Sequence, residues 1–195
     1  MKNNLLIIIN SRRTVRKYDW NKKVTDKDIR RLLNSARFCQ SAHNMQPWKF
    51  VVLRDKIKIN EIAKAMEKKS KKMHIGFNIL MKDASNTVRN APVIITVHNT
   101  GSISKKFSNL GGSYKKLCGI YEVQSIAAAI QNISITANVC RLGLAWIGIA
   151  LFCSKEIKNI LAENDSLMAL LTIGHPCEIS KSTTRKTVEE IAVFK

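Results

Sequence analysis

Apolar residues recur along this chain at two rhythms. Spacings of three and four mark helices. They join Ile29, Leu32, Leu33 and Ala36, then Ile59, Ile62, Ala63 and Met66, then Val123, Ile126, Ala127, Ile130, Ile133, Ala137 and Cys140. Short dense apolar runs predict buried strands at 49–53, 93–97, 145–151 and 167–173, the last ended by Gly174. Punctuation supports these elements. Thr25-Asp26-Lys27-Asp28 resembles a capping box with Asp in place of the usual Glu. Asp55 is a fair N-cap for the second helix, and Ser154 for a short helix carrying Ile157, Ile160 and Leu161. Gly143 is a reasonable stop for a long helix over 121–141. Residues 3–9 predict a short buried helix. Residues 68–90 have weak periodicity and suggest a lid, with Met73, His74 and Phe77 as its candidates, or an ordinary surface loop. Residues 99–119 read as a polar connection.

Interleaved helices and strands place the chain in the α/β or α+β class. No internal repeat, low-complexity tract or linker divides it, so residues 1–195 are expected to form one domain. The long helix is almost too apolar for a monomer surface. Its run Ala127, Ala128, Ala129 would let another helix approach closely, as a buried central helix or a dimer seam would require.

Composition narrows the class. Of 195 residues 45% are hydrophobic, enough for a packed core, yet no run of eighteen apolar residues predicts a membrane span. The start looks a little like a signal peptide, but its apolar stretch is five residues long and meets Ser11-Arg12-Arg13 where small residues should stand. A cytoplasmic, non-membrane protein is expected. Cys39, Cys118, Cys140, Cys153 and Cys177 form no C-x-x-C pair and no zinc-ligand spacing, which favours buried small hydrophobes over disulfides or a metal. The charge is the odd feature: 33 Lys and Arg against 14 Asp and Glu, a net +19. That balance favours anionic partners. The lysines are scattered, however, and no nucleic-acid-binding motif accompanies them, so no specific nucleic-acid partner is expected.

Four segments carry candidate chemistry. Ser11-Arg12-Arg13-Thr14-Val15-Arg16 concentrates guanidiniums and hydroxyls, which suit phosphate oxygens; a solvated basic run is the plainer reading. The turn Gln40-Ser41-Ala42-His43-Asn44-Met45-Gln46-Pro47-Trp48 is rich in amides that can pair with a heterocycle's edge, or can simply satisfy its own backbone. Gly143-Leu144-Ala145-Trp146-Ile147-Gly148-Ile149 holds a strand bracketed by glycines, which lets something flat approach, although a tryptophan there is more often core. Thr183-Thr184-Arg185-Lys186 is a second phosphate clamp or a basic tail.

In this order and at these distances the segments resemble the nitroreductase family of flavoproteins. That family opens with Ser-Arg-Arg-Ser-x-Arg and follows with Pro-Ser-x-x-Asn-x-Gln-Pro-Trp before a strand. It then shows a long helix with Gln-Asn, here Gln131-Asn132, and Gly-Leu-Gly-x-x-Trp-Ile-Gly, here 141–148. An Ile-Gly-x-Pro step (Ile173-Gly174-His175-Pro176) and a basic residue ahead of Glu189-Glu190 complete the series. Three departures stand out: Gln40 replaces a proline, Arg141 a glycine and Leu144 a threonine.

The resemblance implies an α+β sandwich with a central, mostly antiparallel sheet flanked by helices, built as an intertwined homodimer with two flavin mononucleotide (FMN) sites. It implies that Arg12, Arg13, Thr14 and Arg16 hold the phosphate and ribityl chain, joined at the phosphate by Arg185. Ser41 and Asn44 would lie near the ring, and Trp146, Ile147 and Gly148 would contact it through backbone, either within one subunit or from the partner's side. The implied activity is ping-pong transfer of electrons from NADH or NADPH through FMN to a small nitroaromatic, quinone or similar acceptor. No protein nucleophile or obligatory acid is implied, and His43, near the expected flavin, reads either as a proton donor or as a loop histidine facing water. Two alternatives remain: the same flavoprotein fold with another reaction (dehalogenation, dehydrogenation, flavin reduction or breakdown), and a non-catalytic basic nucleic-acid-binding protein.

Overall fold

The structure is a computed structural model, describing residues 4–178 and 183–195. Its four strands are β1 (Trp48–Leu53), β2 (Val93–Asn99), β3 (Gly143–Ile147) and β4 (Ser166–Gly174). They form one sheet of order β1-β2-β4-β3 in which every neighbouring pair is antiparallel. Alternation along each strand sends side chains to both faces. Ile94, Ala145, Ile147 and Leu170 face a layer of three helices, α3 (Lys56–Ser70), α4 (Phe77–Arg89) and α7 (Ser154–Leu161). Val93, Ile95, Val97, Leu144, Ala169, Leu171 and Ile173 face the other layer, α2 (Asp26–Arg37) and α6 (Gly112–Val139). The result is the expected α+β sandwich, with helices over both faces of an antiparallel sheet.

Local signals fixed several boundaries. The capping box of α2 is present: the Thr25 hydroxyl accepts from the Asp28 N–H at 3.1 Å, and the Asp28 carboxylate accepts from the Thr25 N–H at 2.9 Å. Asp55 caps α3 by accepting from the Ile57 N–H at 2.8 Å. Ile59, Ile62, Ala63 and Met66 are buried as their spacing requires.

Other expectations are corrected. Residues 77–89 are no lid: they form α4, whose Met81, Ala84 and Val88 pack in the core beside α3. The polar connection contains the short helix α5 (Ser102–Lys106), and α6 begins at Gly112 rather than near Tyr121. The stop of α6 is Arg141, in left-handed conformation (φ 55°), with the Leu142 N–H returning to the Ala137 carbonyl at 2.8 Å; Gly143 already belongs to β3. β3 ends at Ile147, and 148–153 coil into 3₁₀ turns rather than extending the strand. Ser154 is the first residue of α7, not its cap. Helix α1 (Asn4–Ser11) is not buried: Leu5, Leu6 and Ile7 are about 60% exposed. Of the cysteines, Cys118 and Cys153 are buried, Cys39 and Cys140 are half-buried and Cys177 is exposed.

Candidate functional site

After α1 the chain crosses the end of the sheet as an extended arm. Val15 and Tyr18 are its buried residues. The Val15 N–H donates to the Leu144 carbonyl at 3.0 Å, Thr14 bridges Leu144 in parallel, and Tyr18 bridges Pro176. Two glycines make room for this crossing. A Cβ on Gly143 would lie 2.5 Å from Val15 Cγ1, and one on Gly174 would lie 2.6 Å from Tyr18 Cδ1. The close approach expected at Gly143 is therefore made by the chain's own arm, not by a flat ligand. The buried Tyr18 hydroxyl donates to the Val15 carbonyl (2.8 Å) and pairs with the Thr172 hydroxyl (2.7 Å). Burial raises its pKa.

With Val15 and Tyr18 turned inward, the polar residues of the arm face a cleft of about 470 Å³ lined by Arg12, Arg13, Thr14, Arg16 and Lys17 on one side and by Glu178, Thr183 and Arg185 on the other. Five cations meet one carboxylate there. Lys17 pairs with Glu178 at 2.9 Å, which holds the Lys17 ammonium above its ordinary pKa. Arg185 donates to the Thr183 hydroxyl and, at 3.2 Å, to the Thr184 carbonyl. Arg13 is partly committed elsewhere: one of its nitrogens donates to the Asn10 carbonyl (2.6 Å) and the Arg12 carbonyl (2.9 Å) at the end of α1. Among the described residues no carboxylate lies within ion-pair distance of Arg12, Arg16 or Arg185.

Arg16 also lines a second cleft of about 460 Å³, bounded by Trp146, Ile147, Gly148 and Ile149 at the end of β3 and by Leu80 and Ala84 of α4. Trp146 is 44% exposed, so it is not a core residue. A Cβ on Gly148 would meet nothing within 4 Å, which leaves the backbone there open to a ligand. Arg12, Arg13, Thr14, Arg16, Arg185, Trp146, Ile147 and Gly148 are thus brought together within one chain.

Ser41 and Asn44 are not part of this group. Their turn precedes β1, at the opposite edge of the sheet from β3, about 14 Å away by three strand spacings. The turn holds His43, Asn44 and Gln46 at φ 52°, 53° and 47°. Ser41 accepts from the Gln46 N–H at 3.1 Å, and the Ala42 N–H donates to the Ser125 hydroxyl at 3.2 Å. Ser41 lines a cleft of its own against Tyr121, Gln124 and Ser125 of α6. His43 is exposed and lies against Phe107 with ring centroids 5.4 Å apart.

The sequence reasoning missed Lys17 and Glu178 in the first cleft, and Leu80, Asp83 and Ala84 in the second. Lys17 continues the basic run and could have been found from it; the α4 residues carry no local signal. Among the described residues no cluster of His, Cys, Asp and Glu could hold a metal, and no helix is long and apolar enough to cross a membrane.

The sequence model described as "Nitroreductase family" matches residues 9–175. An Archaeoglobus fulgidus protein named "Putative NADH dehydrogenase/NAD(P)H nitroreductase" is 26% identical, over 88% of this chain and 84% of its own. Iodotyrosine deiodinase of Hydra vulgaris is 25% identical, over 98% of this chain and 72% of its own. Among solved structures, a BluB-like flavoprotein from Clostridium difficile superposes with a TM-score of 0.78 at 27% identity, covering 98% of this chain and 99% of that one.

Proposed function

We propose, because the chain belongs to the nitroreductase family, that it is an FMN-dependent oxidoreductase passing electrons from NAD(P)H to a small-molecule acceptor. The carrying observation is the convergence of Arg12, Arg13, Thr14 and Arg16 with Arg185 on one cleft, and the shared position of Arg16 between that cleft and the one at Trp146–Ile149. This arrangement fits a monoester phosphate joined to a flat ring. The guanidinium forks and the Thr14 hydroxyl suit phosphate oxygens. Each cleft has the size of ordinary cofactor pockets.

Bound FMN supplies hydride acceptance from reduced nicotinamide and electron delivery to the acceptor. The protein's residues bind and orient. Arg12, Arg16 and Arg185 neutralise the phosphate. Trp146, Ile147 and Gly148 offer a wall and open backbone along which a ring can lie, with Leu80, Asp83 and Ala84 lining the far side. Arg16 places positive charge between the two clefts, which favours an electron-rich ring there.

The site is completed in a homodimer. Exposed apolar residues on α1 (Leu5, Leu6, Ile9), on the outward side of α6 (Leu117, Ile120, Val123, Val139) and on the C-terminal arm (Ile191, Val193, Phe194) supply the contact surface. In that pairing the Ser41–Asn44 turn of one protomer meets the ring held by its partner. The separation of that turn from β3 within one chain supports this reading. The likeness to a deiodinase keeps one alternative alive: the same flavin site serving reductive dehalogenation.

The test is the visible spectrum of the purified protein, followed by anaerobic reduction with NADH or NADPH and a panel of nitroaromatic, quinone and halophenol acceptors. Flavin absorbance bleached by the nicotinamide is expected. Protein that is colourless and cannot be loaded with FMN sinks the proposal. The double variant R12A/R16A should weaken FMN binding by more than about 100-fold, since each charge-assisted bond contributes about 1.5–3 kcal/mol. Unchanged occupancy would remove the phosphate assignment.

A further inference from the structure

We propose that Asn138 is a positioning residue for the phosphate-binding arm, acting through α1 rather than by touching the cofactor. This rests on the phosphate reading of the Arg12–Arg185 cleft. Asn138 sits in the last turn of α6. Its amide donates to the Ile8 carbonyl at 2.9 Å and to the Ser11 hydroxyl at 3.0 Å. The same Ile8 carbonyl accepts from the Arg12 N–H at 3.2 Å and from the Ser11 hydroxyl at 3.2 Å. One acceptor thus gathers three donors at the corner where α1 stops and the arm begins. Unsatisfied carbonyls at a helix end need such partners.

The arm is held again three to four residues further on. Thr14 bridges Leu144, and the Val15 N–H donates to the Leu144 carbonyl. Arg12 lies between these two tethers. Both tethers come from one short stretch of chain: Asn138 is the penultimate residue of α6, and Leu144 lies in β3, the strand that ends at Trp146–Ile147. The α6–β3 corner therefore sets the arm and the Trp146 cleft in one frame. Removing the Asn138 donors leaves the β3 tether intact and frees the α1 end, so the direction of Arg12 is lost while the Trp146 cleft is kept.

The experiment compares FMN with riboflavin, which lacks the phosphate, in titrations of the full-length apoprotein. Wild type is expected to prefer FMN strongly. N138A should weaken FMN binding by about tenfold, the effect of one to two hydrogen bonds on the arm, while riboflavin affinity changes by less than about twofold. N138D keeps the shape but turns a donor into an acceptor facing the Ile8 carbonyl; it should show the same selective loss and serves if N138A does not fold. Equal losses for both flavins would make Asn138 merely structural and overturn the proposal. So would an unchanged FMN preference in both variants. A wild type that binds both flavins equally would instead refute the phosphate reading itself, and this inference with it.

Discussion

Gly143→Ala tests the crossing on which the site is built. The new methyl would sit 2.5 Å from Val15 Cγ1 and 2.6 Å from Val15 Cβ. Rotating Val15 about χ1 moves Cγ1 but leaves Cβ in place. The two backbones must then separate by roughly 1 Å to restore ordinary carbon contact. That movement breaks the bond from the Val15 N–H to the Leu144 carbonyl, now 3.0 Å. Overpacking of this kind costs about 1–3 kcal/mol, and the lost bond adds about 1 kcal/mol. For a chain of this length each kcal/mol lowers Tm by roughly 2–4 °C, so the combined cost of about 2–4 kcal/mol predicts a fall of about 4–16 °C in a thermal melt. Arg12, Thr14 and Arg16 ride on the displaced arm, so FMN affinity, read by quenching of flavin fluorescence, should fall about tenfold or more, the equivalent of about 1.4 kcal/mol of lost contact. Val15→Ala removes Cγ1 and Cγ2, so G143A/V15A should lose less than the sum of the single variants, by about 1 kcal/mol. A G143A protein with wild-type Tm and FMN affinity would refute the idea that the arm is packed on this glycine.

Two further outcomes follow from backbone and burial. Arg141 holds φ 55° at the end of α6, a conformation that costs a non-glycine residue about 1 kcal/mol; Arg141→Gly should therefore raise stability by about 0.5–1 kcal/mol in denaturant melts, and a loss would show that the Arg141 side chain is needed where it stands. His98 is buried in β2, bonded to the Thr96 hydroxyl at 2.8 Å, and burial lowers its pKa from 6.5 despite the Asp165 carbonyl and nearby carboxylates. The unfolded chain therefore takes up a proton near pH 6.5 that the folded chain takes up only at lower pH. Stability is full above that value and falls on acidification below it, by at most about 1.4 kcal/mol per pH unit. His98→Gln should flatten this part of the stability–pH curve, whereas a slope identical to wild type would assign it to other groups.

Much of the fold was legible where the signal is local. Thr25 and Asp28 cap α2, Asp55 caps α3, and the four strands follow their apolar runs, because caps and alternation depend on residues within one turn or one pleat. Three misreadings share a cause. In α4 the core residues Met81, Ala84 and Val88 are spaced among Lys82, Asp83 and Asn86, and their burial exists only because α3 lies beside them. Arg141 takes the left-handed position where a glycine was sought two residues later, since the strand that follows leaves no room for a longer helix. Helix α1 reads as buried, yet a single chain leaves its apolar side exposed.

For the site the division is sharper. The chain's own order of residues determined which chemistry was present: guanidiniums at Arg12, Arg13, Arg16 and Arg185, amides and a hydroxyl around Ser41 and Asn44, and a glycine-flanked Trp146. Tertiary structure alone decided which of these meet. Arg12 and Arg185 line one cleft, and the arm that carries Arg12 is seated where β4 ends at Gly174, whose bare Cα admits Tyr18, with the following Pro176 bridging Tyr18. Ser41 is kept from Trp146 because the strand order puts β1 and β3 at opposite edges. Propensity and side-chain chemistry are properties of neighbouring residues, whereas convergence of segments more than a hundred residues apart depends on strand order and on steric fit at a few contacts, and neither is written in any local stretch of sequence.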